Sequence, residues 1–201
     1  MRALLPAPAQ TPLNNYDRCG YQEILIHQTS SPLIRRAVAV DAGLLAELGA
    51  RTFYESFAAD NTAENMAAYL AESFGPDKQA AELADTQVVY LIVEIDGAAV
   101  GYAQLRSGEF PACVTGPKPV ELVRIYVSQS WLGRGVGQAL MRACMDEAQR
   151  AGHQTIWLGV WKPNKRALAF YRKWNFSVVG EHIFQLGSDP QEDWIMQRSL
   201  P

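Results

Sequence analysis

The sequence predicts one α/β (α+β) body with a mixed, mostly antiparallel central sheet and helices on both faces, and three observations carry that expectation. The first is a hairpin: the apolar run at 88–95, the turn Asp96-Gly97 and a return run at 98–105 match two strands closed by a two-residue turn. The second is the later order strand (120–127), helix (from 136), strand (155–160), helix (164–174) and strand (176–180), which alternates like layered α/β units. The third is the pair of helical patterns ahead of the hairpin, which gives the sheet a cover on its other side.

Taken in order, residues 1–32 stand apart as an irregular or loosely attached N-terminal extension. Pro6, Pro8, Pro12 and Pro32 alternate there with Gln, Asn, Ser and Thr, a composition that breaks regular structure. The patch Ile24-Leu25-Ile26 is the one part able to dock on the body, which spans 33–201. Residues 33–39 read as a short strand. Asp41 suits a helix N-cap ahead of Leu44, Leu45, Leu48 and Phe53 at helical spacing. A second helix begins near Thr62, and the helical pattern at 72–83 is interrupted at Gly75-Pro76. After the hairpin a Gly/Pro-rich loop covers 108–119. Val136, Leu140, Met141 and Cys144 mark the buried stripe of a helix that ends near Ala151-Gly152. The last strand is expected at 193–197.

Composition excludes several function classes. The 201 residues are 48% hydrophobic and 19% charged with a formal net charge of −3, which lacks the basic excess of nucleic-acid-binding domains. No segment approaches the length of a membrane span, and the N-terminal leucines stop at Pro6, too short for a signal-peptide core. Cys19, Cys113 and Cys144 are scattered and form no disulfide framework, which points to a reducing, cytoplasmic setting. His27, His153 and His182 lack metal-ligand spacing and read as structural or surface residues, so no metal is expected.

The chemistry concentrates at Gly133-Arg134-Gly135-Val136-Gly137. Glycines alternating after a strand let backbone N–H groups converge on an anion, and the helix start adds a favourable dipole. The spacing is neither GxxxxGK[ST] nor GxGxxG. By itself it is as compatible with a plain tight turn as with a phosphate cradle, and a binder of nucleotide phosphate is a distant alternative.

The run Arg124-Ile125-Tyr126-Val127, a five-residue link and then Gly133-Arg134-Gly135-Val136-Gly137-Gln138-Ala139-Leu140 resembles the signature of GCN5-related N-acetyltransferases (GNAT). A second block, Leu158-Gly159-Val160-Trp161-Lys162-Pro163-Asn164 and then Phe170-Tyr171-Arg172-Lys173-Trp174, is similar to that family's next strand and helix, in the right order and separation. The resemblance covers about 33–200. Arg51-Thr52-Phe53-Tyr54-Glu55-Ser56-Phe57, the Trp157–Trp161 strand and the ending 182–193 look like the PaiA-type spermidine/spermine acetyltransferases within it. Two positions depart from the pattern: Leu132 stands where Gln or Arg leads the phosphate turn, and Asn175 replaces a common glycine.

The resemblance implies a GNAT-type sheet, acetyl-CoA as cosubstrate and transfer of its acetyl group to a primary amine of a small molecule, a polyamine being one such amine. It implies that Ile125, Tyr126 and Val127 lie along the pantetheine arm and that Asn164 touches that region, although a plain helix N-cap explains Asn164 equally. Leu132, Gly133, Arg134, Gly135, Val136, Gly137 and Gln138 would surround the pyrophosphate, held by backbone because Leu132 offers no polar side chain. Tyr171 would be the general acid at the departing sulfur, against the alternative of an aromatic core residue. Glu121 would be the base, since an alkylammonium with a pKa of about 10 must lose a proton before attack; a solvated strand-end carboxylate is its rival. Phe53, Tyr54 and Phe57 would line the acceptor site or serve as core, and Glu55, Asp60 and Glu64 would attract a polyamine or simply face solvent. A homodimer is common in the family. The reading from another class is a non-catalytic acyl-CoA-binding or regulatory module, which Leu132 and the uncertain base support.

Overall fold

The computed structural model describes residues 31–201; the expectations for the N-terminal extension, including the 24–26 patch, fall on residues 1–30 and lie outside the described residues. Among the described residues, seven strands and five α-helices form a three-layer domain. The strands are β1 (Leu33–Arg36), β2 (Val88–Ile95), β3 (Ala98–Arg106), β4 (Pro119–Val127), β5 (Thr155–Trp161), β6 (Ser177–Leu186) and β7 (Asp189–Ser199). They lie in the order β1-β2-β3-β4-β5-β7-β6, antiparallel throughout except for β4 beside β5. The helices are α1 (Ala42–Phe57), α2 (Ala63–Ser73), α3 (Pro76–Ala84), α4 (Val136–Arg150) and α5 (Lys165–Lys173).

Each face of the sheet buries one core. On one side Val136, Leu140, Met141 and Cys144 of α4, with Leu168 and Tyr171 of α5, pack on Leu122, Ile156 and Leu158. On the other, Leu45, Leu48 and Phe53 of α1 and Met66 of α2 pack on Tyr90, Ile92 and Tyr102. Leu140 is fully buried, and truncating such a leucine to alanine removes on the order of 2–5 kcal/mol.

The turn Asp96-Gly97 takes φ values of 53° and 77°, the left-handed pair that a two-residue hairpin needs. Thr62 caps α2 by accepting from the Asn65 N–H, and Pro76 starts α3. Asp41 occupies the expected position before α1, but its carboxylate makes no helix cap. It accepts from the Val38 N–H and from both terminal nitrogens of Arg35 instead. A guanidinium within reach outcompetes the N-terminal amides, since charge-assisted bonds are the stronger ones. Arg35 in turn holds Asp41's carboxyl below its usual range.

The C-terminal hairpin is longer than the sequence suggested. The strand expected at 176–180 runs on to Leu186, and the last strand begins at Asp189 rather than 193. β6 is an edge strand with Glu181, His182 and Gln185 exposed, and polar edge strands lack the apolar alternation that marks a half-buried one. The chain reverses at Gly187, where φ is +59°.

Two features position the site. The parallel β4–β5 ladder holds only Pro119↔Thr155, Val120↔Ile156 and Glu121↔Trp157, after which the two strands splay. A β-bulge in β4 leaves Val123 without a partner, because Gln104 pairs Arg124 while Leu105 pairs Leu122. A bulge adds one residue to one strand, so it shifts the side-chain alternation. Glu121, Arg124 and Tyr126 therefore share the α1 face, while Leu122, Ile125 and Val127 share the α4 face.

Candidate active site

The splay opens a cleft of about 960 Å³ between β4 and β5, lined from α1 at one end to the glycine turn and α5 at the other. Beyond Glu121 the β4 backbone keeps β3 on one side and has no strand on the other. An extended backbone edge of this kind has donors and acceptors to offer an extended ligand.

At the mouth, Gly133 and Gly135 adopt φ of +76° and +84°, conformations that disfavour any side chain. Nothing lies within 4 Å of where a β-carbon would sit on either, so the turn is open rather than packed. The first helical bond of α4 runs from the Ala139 N–H to the Gly135 carbonyl. The N–H groups of Val136, Gly137 and Gln138 thus have no partner in the helix, as at any helix start. They face the cleft mouth together with the positive end of the α4 dipole, an arrangement suited to a pyrophosphate.

Leu132, Gly133, Gly135, Gly137, Gln138, Ile125, Tyr126, Val127 and Asn164 all line the cleft. Two residues expected beside them do not. The Val136 side chain is buried under the sheet, leaving only its backbone for a ligand, and the Arg134 guanidinium stacks 5.1 Å above the Trp131 ring. Asn164 caps α5, its side-chain oxygen accepting from the Ala167 N–H at 3.0 Å.

Tyr171 lies where α5 meets the sheet, flanked by Phe170 and Phe176, and it belongs both to the core and to the cleft wall. Burial raises its phenol well above the ordinary tyrosine value, so it stays protonated and able to donate. Glu121 faces the cleft at the last rung of the β4–β5 ladder. Burial raises its carboxyl, and the charges of Arg106 and His182 hold it partly down.

Away from the glycine turn the cleft is lined by aromatic and acidic side chains. Phe57 meets Tyr126 and Trp161 edge-on, each at 6.3 Å, so rings from α1, β4 and β5 bridge the splay. Asp60 and Asp193 also line the cleft, as does Glu55, whose carboxylate accepts from the Gln129 N–H at 2.8 Å just ahead of the glycine turn. Phe53 is almost wholly buried, stacked on Tyr69 at 4.5 Å, and belongs both to the core and to the cleft lining. Tyr54 is 56% exposed and does not line the cleft, since it falls on the solvent side of α1. α2 is tied to the β6–β7 turn where Asn65 accepts from the Ser188 N–H and hydroxyl, both at 3.0 Å.

His182 was missed by sequence reasoning. It lines the cleft with its ring 3.6 Å from the Asp193 carboxylate. Only the strand pairing, which sets His182 opposite Asp193, brings the two together. Among the described residues no group of three or more His, Cys, Asp or Glu side chains is arranged to hold a metal ion, and no helix is long and apolar enough to cross a membrane.

The fold and sequence have known relatives. The chain is 32% identical over 160 residues to an uncharacterized N-acetyltransferase of Mycobacterium bovis, covering 80% of this chain and 98% of that one. It is 31% identical over 149 residues to another from Lactobacillus delbrueckii, covering 74% and 86%. Among solved structures, PaiA N-acetyltransferase from Thermoplasma acidophilum in complex with coenzyme A superposes with a TM-score of 0.68 at 20% identity, covering 85% of this chain and 99% of that one. YncA, an acetyltransferase from Salmonella typhimurium with its cofactor acetyl-CoA, gives 0.58 at 21% identity, covering 86% and 95%. The acetyltransferase (GNAT) family matches over residues 50–176, more than half of the sequence, and the chain belongs to that family of acetyltransferases.

Proposed function

We propose that residues 33–201 move an acetyl group from acetyl-CoA to a primary amine of a small cationic molecule, with polyamines as the leading class. The observation that carries this reading is the splay itself. One cleft joins a free β4 backbone edge, an α4 N-terminus with unpaired N–H groups, and an acidic, aromatic far end.

In this reading the thioester supplies an acyl carbon open to attack, and the chain's residues manage geometry and protons. The N–H groups of 136–138 bind the pyrophosphate, and the β4 edge near Ile125 and Val127 aligns the pantetheine arm. Aromatic faces of Phe57, Tyr126 and Trp161 favour an ammonium-bearing chain, and Asp60 adds attraction, while Glu55 is held by the Gln129 N–H. Glu121 takes the proton that the ammonium must lose before attack. Its raised proton affinity suits that task, because a base works best with a pKa nearer the working pH. Tyr171, kept neutral by burial, gives its proton to the sulfur as the C–S bond breaks, and the second proton that the nitrogen sheds on collapse of the tetrahedral intermediate restores the phenol. The products are an amide and the free thiol of coenzyme A.

Mixing the protein with acetyl-CoA and a panel of polyamines, amino acids and peptides tests the reading by release of free thiol. Turnover is expected first with the polyamines. Calorimetric binding of acetyl-CoA with no thiol released on any amine would overturn it in favour of a binding module.

A further inference from the structure

His182 sits on the edge strand β6, two strands away from the splay, yet its ring reaches the cleft. The row on the α1 face explains how. His182 pairs with Asp193 on β7, Asp193 pairs with Trp161 on β5, and Gly159 lies two residues before Trp161 on the same face of β5. A β-carbon on Gly159 would fall 2.8 Å from the His182 Nε2 and 3.4 Å from the Asp193 Oδ2. Gly159 has no positive φ, so its backbone does not call for glycine. The missing side chain instead makes the seat into which the imidazole folds.

That seat aims the ring at β4. Glu121 is the last residue of β4 that pairs with β5, opposite Trp157, and Gly159, the seat of the ring, follows two residues along β5, so that Glu121, Gly159 and His182 line one stretch of the cleft. Asp193 is almost wholly buried, while the His182 side chain keeps 40% of its surface exposed. Glu121 is thus half-buried, Asp193 is buried beside the ring, and the ring is the most exposed of the three. Neighbouring charges are otherwise engaged: Glu181 and Glu192 hold Lys162, and Arg106 sits in a salt bridge with Glu82.

The geometry points to His182, seated over Gly159 and oriented by Asp193, as the relay that carries the acceptor's proton from Glu121 to solvent. This rests on the acetyltransferase reading and deepens it. The ammonium gives one proton to the Glu121 carboxylate, the free amine lone pair forms the new C–N bond, and Glu121 passes that proton to the neutral imidazole. The imidazolium then releases it to water, so both groups return to their starting state. His182 acts through Glu121 and is a positioning residue, not one that touches the acyl carbon. Asp193 and Glu121 both favour the protonated ring, so its titration lies above the ordinary histidine value. The relay therefore works once pH rises past that point.

The test is the pH profile of kcat for the whole protein and for His182→Gln and Gly159→Ala, with His182→Ala assayed with and without added imidazole. Wild-type kcat is expected to climb through a limb above the usual histidine range. Both His182→Gln and Gly159→Ala should flatten that limb and lower the plateau by on the order of 10²-fold, with KM for acetyl-CoA unchanged. Free imidazole should restore part of the rate to His182→Ala. A limb that stays in place in His182→Gln, or a uniform loss at every pH without imidazole rescue, would overturn the relay while leaving the acetyltransferase reading intact. Ring titration by NMR needs no turnover and gives an independent readout: the His182 value should fall in Asp193→Asn and in Glu121→Gln. Absence of any fall in Glu121→Gln would sink the coupling, whereas a wild-type protein inactive on every amine would sink the proposed function and the relay together, an outcome told apart from failure of the relay alone by the missing wild-type turnover.

Discussion

At the mouth of the cleft the groups on offer are backbone amides of neighbouring residues, gathered by one turn, Gly133 to Gly135, and the start of one helix. Elsewhere along the cleft they are side chains from α1, β4, β5, β6 and β7, Phe57 and Asp193 among them. A backbone site tolerates side-chain change so long as the dihedrals survive. A side-chain site fails on single atoms. The contrast teaches that the two ends should respond to different kinds of substitution, in binding at one and in turnover at the other.

The largest test lies between them. Tyr171→Phe deletes one hydroxyl and should lower kcat by about 10²–10⁴-fold, with acetyl-CoA affinity by calorimetry nearly unchanged; equal turnover would return Tyr171 to the core. At the mouth, Gly135→Val forces a branched side chain into φ of +84°, a strain of roughly 1–3 kcal/mol. The expected reading is acetyl-CoA binding weakened by about 10–100-fold, and an unaltered affinity would break the distinction between the ends. Leu132→Arg should tighten acetyl-CoA by less than about tenfold, since an exposed ion pair is worth roughly 0–1 kcal/mol. A larger gain would mean that the backbone turn holds less of the anion than its geometry suggests.

The smallest effect is on stability. Burial raises the Glu121 carboxyl above its unfolded value. A raised carboxyl stabilises the fold at pH below the ordinary glutamate range and loses that contribution as pH rises through its folded value. At neutral pH the charge is a cost, so Glu121→Gln should raise Tm slightly at pH 7 and not at pH 4, while lowering turnover. A lower Tm at pH 7 would show Glu121 to be a structural partner of Arg106 and His182 rather than a strained base.

The two ends also differ in how far the sequence discloses them. The glycine turn, the β2–β3 hairpin and the Asn164 cap are local, and each is specified by residues within a few positions of one another. Their chemistry is written where it acts. The β4–β5 splay comes from pairings that stop after Glu121↔Trp157, which no local pattern announces. His182 opens the 182–193 ending that resembles the PaiA-type enzymes, but it gains a role only when Asp193 arrives on the return strand and Gly159 leaves room. Tyr54 shows the opposite failure: an aromatic beside Phe53 and Phe57 falls on the outer side of α1, because residues i and i+1 of a helix face different ways. Asp41 stands at the right position with the wrong partner, since Arg35 on the preceding strand reaches it first.

The bulge at Val123 has a consequence for the gene as well as for the strand. Every residue from Arg124 to Val127 is read in a frame that this one extra residue sets. Loss of its codon would turn Arg124 and Tyr126 toward α4 and send Ile125 and Val127 under α1, exchanging a charge for an aliphatic side chain in both cores at once. Single substitutions at 123 should be borne easily, and a deletion there should be among the most damaging changes the chain can suffer. In related sequences, gaps are therefore expected to avoid this position even where its residue type varies freely.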